Sequence, residues 1–281
     1  MNDLIRNSKI LRKPLLVITR ALLMPLKAGL PILRRAAYDV MPIPYLVAGS
    51  PEKFIISTAD KVIGREIFLH GEFDFEKMEV ALSILKRENR PTPRHLIDVG
   101  ANIGTILIPA LKRGYFSSAI AIEPHPENLC LLKANIELNG VSEKVEVFEM
   151  AVGSRKDESL FLKISDTNSG NHYVSNVGIR IHSTRLDDLN IKLDNALLWM
   201  DIEGYEGHAL QGASALLATG VPLVSEFNPT YLSASGGLEV FVEILKNRKI
   251  FDLKHPNEMV SFEYLRNQYK KDFTDILAIP V

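Results

Sequence analysis

Residues 94–111, RHLIDVGANIGTILIPAL, run from an apolar stretch into an acid, through two glycines, and out into a second apolar stretch. That order restricts the fold more than any other part of the chain. Residues 95–99 read as a buried strand and 103–113 as a helix, with a glycine turn between them. In an open parallel sheet, ligands sit beyond the carboxyl end of the strand that turns into its helix. Gly100 and Gly104 let the backbone approach such a ligand closely, and a helix start offers free N–H groups to an anionic group. Ala101 and Asn102 occupy the place where a G-x-G-x-x-G dinucleotide fingerprint needs further glycine, so a nucleoside ligand without a pyrophosphate is expected.

The next strand-like run, 118–123, ends in Glu123, 23 residues after Gly100. An acid there can accept hydrogen bonds from both hydroxyls of a ribose. The competing reading is a charge favourable to the dipole of the helix at 127–139. Further strand-like runs lie at 145–149, 196–201, 221–226 and 275–281, and helix-like runs at 207–218 and 237–248. Apolar strands alternating with helices predict an α/β fold with a largely parallel sheet covered on both faces. Residues 154–190 break the rhythm with β-like pieces around a polar loop. Residues 54–70 read as an extended hairpin turning near Asp60, followed by a helix from Phe75 that stops before Pro91.

The first 45 residues hold Arg6, Lys13, Arg20, Lys27 and Arg34 seven residues apart, which returns them to nearly one helical face. Residues 1–39 carry a charge of about +6 while the whole chain carries -1. Two readings stay open: a basic amphipathic segment on an anionic membrane surface, or short helices covering the core with a solvated charged face. Pro14, Pro25 and Pro31 oppose one continuous helix. The division expected is an N-terminal extension, 1–45, and one catalytic domain, 46–281. Balanced charge argues against a nucleic-acid binder. The lone Cys130 excludes an intramolecular disulfide or a cysteine zinc site. With no apolar window long enough to span a bilayer, a cytoplasmic protein is expected, with peripheral contact at the inner membrane face as the membrane reading.

Taken in order, LIDVGANIG, AIEPHPENLCLLKANIELNG, FEMAVGS, TRLDDL, LLWMDIEGYEGHALQGA and LVSEFNP resemble the FkbM-type S-adenosylmethionine-dependent methyltransferases. The resemblance covers roughly residues 54–281. It implies a Rossmann-like class I methyltransferase fold, with a seven-stranded, mostly parallel sheet closed by an antiparallel hairpin and helices on both faces. It also implies S-adenosylmethionine as cofactor and methyl transfer to an oxygen, often of a sugar or polyketide. On this chain Asp98, Gly100, Asn102 and Gly104 would surround the methionine portion, Glu123 would hold the ribose, and Met150 and Ala151 would border the adenine. Phe75 and Glu76 would close the cofactor from the N-terminal side, although core packing is the favoured reading for Phe75 and Met150. Where family members frequently carry a Lys, this chain has Trp199.

A sugar hydroxyl is a weak nucleophile at neutral pH, and a nearby carboxylate or imidazole helps by taking its proton. Asp201, then Glu203, at the end of the fourth strand are the candidates for base or substrate orienter. His172, in a polar loop, is a further candidate. The alternatives are local: Asp201 as a helix cap, Glu203 as a helix-start charge, or Asp201, Glu203 and Glu226 as ligands of a divalent cation. His125 between two prolines reads as a turn residue and His95 as structural. An O-methyltransferase acting on a glycan, glycolipid or related metabolite is expected. A nicotinamide-dependent oxidoreductase and a non-catalytic nucleoside-binding module are the competing functions. Acceptor and oligomeric state are not legible.

Overall fold

The computed structural model describes residues 29–191 and 194–281, with positions 14, 17, 18, 21 and 22. Arg6, Lys9, Arg12, Lys13, Arg20 and Lys27, which carry most of the basic rhythm, lie outside the described residues. Two compact units emerge, one of residues up to Phe73 with Asp166–Ser169 and one of Asp74–Ser165 with Gly170–Val281.

In the first unit, helix α1 (Gly29–Asp39) precedes an antiparallel pair of strands, β1 (Tyr45–Ala48) and β2 (Phe54–Ser57), and then helix α2 (Ile63–His70). Tyr38 of α1 is fully buried, its hydroxyl 2.7 Å from the carbonyls of Ser57 and Asp60. The hairpin expected over 54–70 is therefore half right. β2 pairs upstream with β1, and 63–70 is helical because Ile63, Gly64 and Ile67 are buried at helical rather than alternating spacing. Asp60 starts that change of direction by accepting the Val62 N–H through Oδ1 at 2.8 Å.

The second unit opens with α3 (Glu76–Arg87), β3 (His95–Val99), α4 (Leu107–Lys112), β4 (Ser118–Ile122), α5 (Pro126–Leu138) and β5 (Val145–Phe148). Four strands follow in the interrupting segment, β6 (Ala151–Val152), β7 (Glu158–Lys163), β8 (Tyr173–Ser175) and β9 (Ile179–Thr184). They form a small separate sheet in the order β6-β9-β7-β8. The chain then returns through β10 (Ala196–Met200), α6 (Glu206–Gln211), α7 (Ser214–Ala218), β11 (Leu223–Phe227), α8 (Pro229–Ala234) and α9 (Leu238–Leu245). It closes with β12 (Arg248–Asp252), α10 (Phe262–Gln268) and β13 (Thr274–Pro280).

Seven of these strands form the main sheet in the order β12-β13-β11-β10-β3-β4-β5. The sheet is mixed, which corrects the expectation of a mostly parallel one. β5, β4, β3, β10 and β11 pair in parallel, and β13 runs antiparallel to both β11 and β12. The reversal has a local cause. Asp252 at the end of β12 is fully buried and accepts the hydroxyls of Thr274 and Tyr269, each at 2.6 Å. β13 therefore starts where β12 stops and must run back. β12 is not among the strands expected from sequence, and the helix expected over 237–248 ends at Leu245.

Ile97, Val99, Ile120, Ile122, Leu198 and Met200 pack one face of the sheet against Ala209, Phe241 and Leu245 of the helices. Leu96, Ala121, Leu197 and Trp199 on the opposite face are buried too, so both faces are covered. β3 has β4 on one side and β10 on the other, which makes its carboxyl end the point where strand order reverses and a crevice opens.

Candidate active site

At that point the backbone turns left-handed three times, at Gly100 (φ 87°), Asn102 (φ 49°) and Gly104 (φ 92°). Gly100 has no room for a side chain, because a Cβ there would lie 1.9 Å from the carbonyl oxygen of Asp201. One at Gly104 would meet Ile108 Cδ1 at 2.6 Å. The N–H groups of Gly100 and Ala101 both reach the Ile122 carbonyl, at 2.9 and 3.1 Å, so the turn is tied to β4. Helix α4 begins at Leu107 rather than at 103, and the Leu107 N–H is engaged by the Asp98 carboxylate.

Glu123 is buried with both oxygens in use. Oε2 accepts the Asn102 N–H and Oε1 the His125 N–H, each at 2.8 Å. Asn128 adds a side-chain hydrogen bond to the same carboxylate, so of its four lone-pair directions one is left for a ligand. Burial pushes this carboxyl up to about 7, against the opposing effect of those two N–H groups and Asn128. Asp98 is buried as well and is pushed up to about 8, first by burial, then by the charges of Asp201 and Glu123. Its Oδ2 has no partner. Such an atom is costly unless a ligand donor satisfies it. The sequence candidates Asp98, Gly100, Asn102, Gly104 and Glu123 thus form one surface.

The remaining candidates separate. Met150 is half-buried against the main core, and Ala151 pairs with Ser183 in the small sheet. Phe75 is buried, with the Arg113 guanidinium 4.5 Å from its ring centre, and Glu76 is exposed. His125 caps α5, its Nδ1 accepting the Asn128 N–H at 3.4 Å. His172 packs its ring on His125 with centres 4.3 Å apart, and its Nδ1 accepts the Ser165 N–H at 3.1 Å. That puts His172 on the Glu123 side. Trp199 is core, and His95 bonds Ser118 at 2.8 Å at the start of β3.

A second group forms where β10 and β11 end. Their register pairs Trp199 with Val224 and Met200 with Ser225, so one further step brings Asp201 beside Glu226. Glu226 in turn lies opposite Asp275 of β13. The Lys77 ammonium bridges Asp275 at 2.7 Å and Asp74 at 2.6 Å. The turn after β10 is held by Glu206, which the sequence does not single out: its Oε1 accepts the N–H groups of Ile202 at 3.0 Å and Gly204 at 3.2 Å. That role was open to Asp201 and falls to Glu206. Asn228 is engaged as the cap of α8, accepting the Tyr231 N–H at 3.2 Å.

One carboxylate oxygen each from Asp201, Glu206 and Glu226 lie within 4.8 Å of one another. Burial, then mutual repulsion, pushes the carboxyls of Glu203 and Glu226 up. Burial also pushes Asp201 up, with Asp275 next, a push that solvent contact at Asp201 weakens. Glu203, at φ 54°, faces a different space, a cavity of about 780 Å³. Phe161 and Tyr173 of the small sheet, with Tyr205, His208 and Tyr231, also line it. Apolar ring faces carrying polar tips suit a ligand with both C–H surfaces and hydroxyls.

A sequence profile for the methyltransferase FkbM domain matches residues 98–274. No curated protein matches the chain. Among solved structures, methyltransferase FkbM from Methylobacillus flagellatus KT is 17% identical, with 96% of this chain and 59% of that chain covered and a TM-score of 0.46. TYW2 from M. jannaschii in complex with AdoMet is 12% identical over 84% of this chain and 85% of that one, with a TM-score of 0.41. Precorrin-6y C5,15-methyltransferase from Geobacter metallireducens GS-15 is 13% identical, covering 72% and 88%, with a TM-score of 0.39. The chain spans 59% of the length of the M. flagellatus protein.

Proposed function

The chain belongs to the FkbM methyltransferase family, and from that premise we propose that it moves a methyl group from S-adenosylmethionine to a hydroxyl oxygen of a glycan, glycolipid or related metabolite. One observation carries the reading. The turn at Gly100 and the acid-bearing end of β10 share a wall, since the Gly100 α-carbon packs on the Asp201 carbonyl. A donor held on that turn has its reacting end beside Asp201, two residues before the cavity-lining Glu203.

The residues fit that donor. Glu123, held by the Asn102 and His125 N–H groups and by the Asn128 side chain, keeps one acceptor direction for a ribose hydroxyl. Asp98 keeps a buried oxygen without a partner for a cationic or N–H group of the methionine portion. When bound, the sulfonium supplies an electrophilic methyl, and the protein's task is alignment and exclusion of water.

Glu203 and Asp201 handle the acceptor. Glu203 lines the cavity, where it accepts the hydroxyl proton, and Asp201, two residues before it, orients the oxygen. Tyr173, Tyr205 and Tyr231 hold the acceptor's apolar surface. His172, hydrogen-bonded to Ser165 and packed edge-on against His125, supports the Glu123 side. A lipid-linked acceptor suits the basic N-terminal segment, which would meet an anionic membrane surface. Among the described residues no helix is long and apolar enough to cross a membrane.

The test has two stages. Calorimetry should show S-adenosylhomocysteine binding and no NAD binding. A radiolabelled methyl donor incubated with lysate fractions should then label the polysaccharide or lipid fraction. Label in protein alone would overturn the acceptor class.

A further inference from the structure

We infer that Asp201, Glu206 and Glu226 hold one divalent cation where β10 and β11 end. Three observations converge on it. The three carboxylates present oxygens within 4.8 Å of one another. That span suits a single ion, because oxygens on opposite sides of a hard cation are separated by twice a bond of about 2.0–2.5 Å, or about 4–5 Å.

Two of the three acids are nine-tenths buried and each leaves an oxygen without a partner. Glu206 is 1% exposed and Glu226 is 7% exposed, and Oε2 of each makes no hydrogen bond. Glu206 is fixed by its other oxygen, which takes the N–H groups of Ile202 and Gly204, so its bare Oε2 is aimed rather than free to rotate toward water. A buried carboxylate oxygen left unsatisfied is costly, and natural structures pair such atoms.

The third ligand supplies access. Asp201 is exposed, so an ion can enter with part of its hydration shell. Lys77, the nearby ammonium, is already paired with Asp74 and Asp275. An all-oxygen donor set selects magnesium, manganese or calcium over thiophilic metals. The structure also redraws the ligand set expected from sequence, replacing Glu203 with Glu206. Glu203 is thereby left to the separate cavity.

The ion's role in transfer rests on the proposed methyltransferase reaction, but its binding requires neither donor nor acceptor. The experiment is Mn²⁺ titration of the full chain, stripped with chelator, read by paramagnetic resonance of the free ion and by the shift in Tm. One Mn²⁺ should bind per chain, be displaced by Mg²⁺, and raise Tm. Glu226→Gln should weaken Mn²⁺ at least tenfold and abolish the Tm shift, with S-adenosylhomocysteine affinity within twofold of wild type. Should Glu226→Gln fail to fold, Asp201→Asn at the exposed edge should show the same loss of Mn²⁺. Wild type binding Mn²⁺ no better than the variant would overturn the site. So would a variant that loses S-adenosylhomocysteine while keeping Mn²⁺, since the bare oxygens would then serve the donor's own positive charge.

Discussion

The backbone N–H of Asn102 donates to Oε2 of Glu123 across 2.8 Å, and Asn102 reaches that position only by turning left-handed between Gly100 and Gly104. The glycine turn and the acid at the end of the next strand are therefore one device. Replacing Glu123 with Ala should raise the Kd for S-adenosylhomocysteine about 10- to 100-fold, the range for losing hydrogen bonds to a charged acceptor. Calorimetry checks it, and an unchanged Kd would remove Glu123 from the ribose.

The same acid predicts how stability responds to pH. Its carboxyl is raised from 4.5 to about 7 by burial, so the folded state holds its proton more tightly than the unfolded state does. Its contribution is complete below pH 4.5 and is lost as pH rises through about 7. Glu123→Gln should flatten the fall of stability between those values, by at most about 1.4 kcal/mol per pH unit for one proton. Denaturant midpoints across the range, wild type against variant, measure this. Parallel curves would mean that the acid is not buried as described.

Gly100→Ala should cost about 2–4 kcal/mol, combining overpacking with an L-residue at positive φ. Gly114→Ala is the control. Gly114 also has positive φ, 78°, but a Cβ there meets nothing within 4 Å, so only about 1 kcal/mol should be lost. Equal losses in urea would mean that the close approach of Gly100 to Asp201 does not matter.

Glu203→Gln should lower kcat about 10²- to 10⁴-fold, as for a lost general base. Affinity for S-adenosylhomocysteine should stay within about twofold, because Glu203 faces the cavity rather than the glycine turn. A fall in donor affinity with kcat intact would reverse that assignment.

Arg34 and Arg35 on α1 are exposed beside exposed Leu30 and Ile32. Reversing both charges to Glu should weaken co-sedimentation with phosphatidylserine vesicles at least about 30-fold, taking about 1 kcal/mol for each basic residue near the surface. Tyr38, buried on the same helix, should be left untouched, since it bonds across its own unit. Equal pelleting of variant and wild type would favour a solvated face.

Much of this architecture is legible in the residues, for identifiable reasons. β3, β4, β10 and β11 are buried on both faces and so appear as short continuous apolar runs. Glu123 stands out because it ends such a run before a proline. β12 does not stand out: RKIFD opens with two charges, and its first residue falls within the helix expected over 237–248. IGREIFLH looks strand-like because Ile and Phe favour strands, and only the burial of Ile63 and Ile67 on one helical face reveals α2. Glu206 is hidden for a different reason. Its significance lies in a turn that returns it to Asp201 and to Glu226, 20 residues onward, and spacing along the chain does not encode that return. Lys77 beside Asp275 is likewise a product of tertiary folding.

β13 lies inside the sheet, between β11 and β12, although it is last in sequence among the strands. β12 bonds to no other strand of that sheet. As the polypeptide leaves the ribosome, β11 and β12 each present a naked backbone edge until residues 274–280 emerge and zip between them. During that interval the nascent protein is most exposed to illicit strand pairing, and chaperone capture has its clearest opportunity.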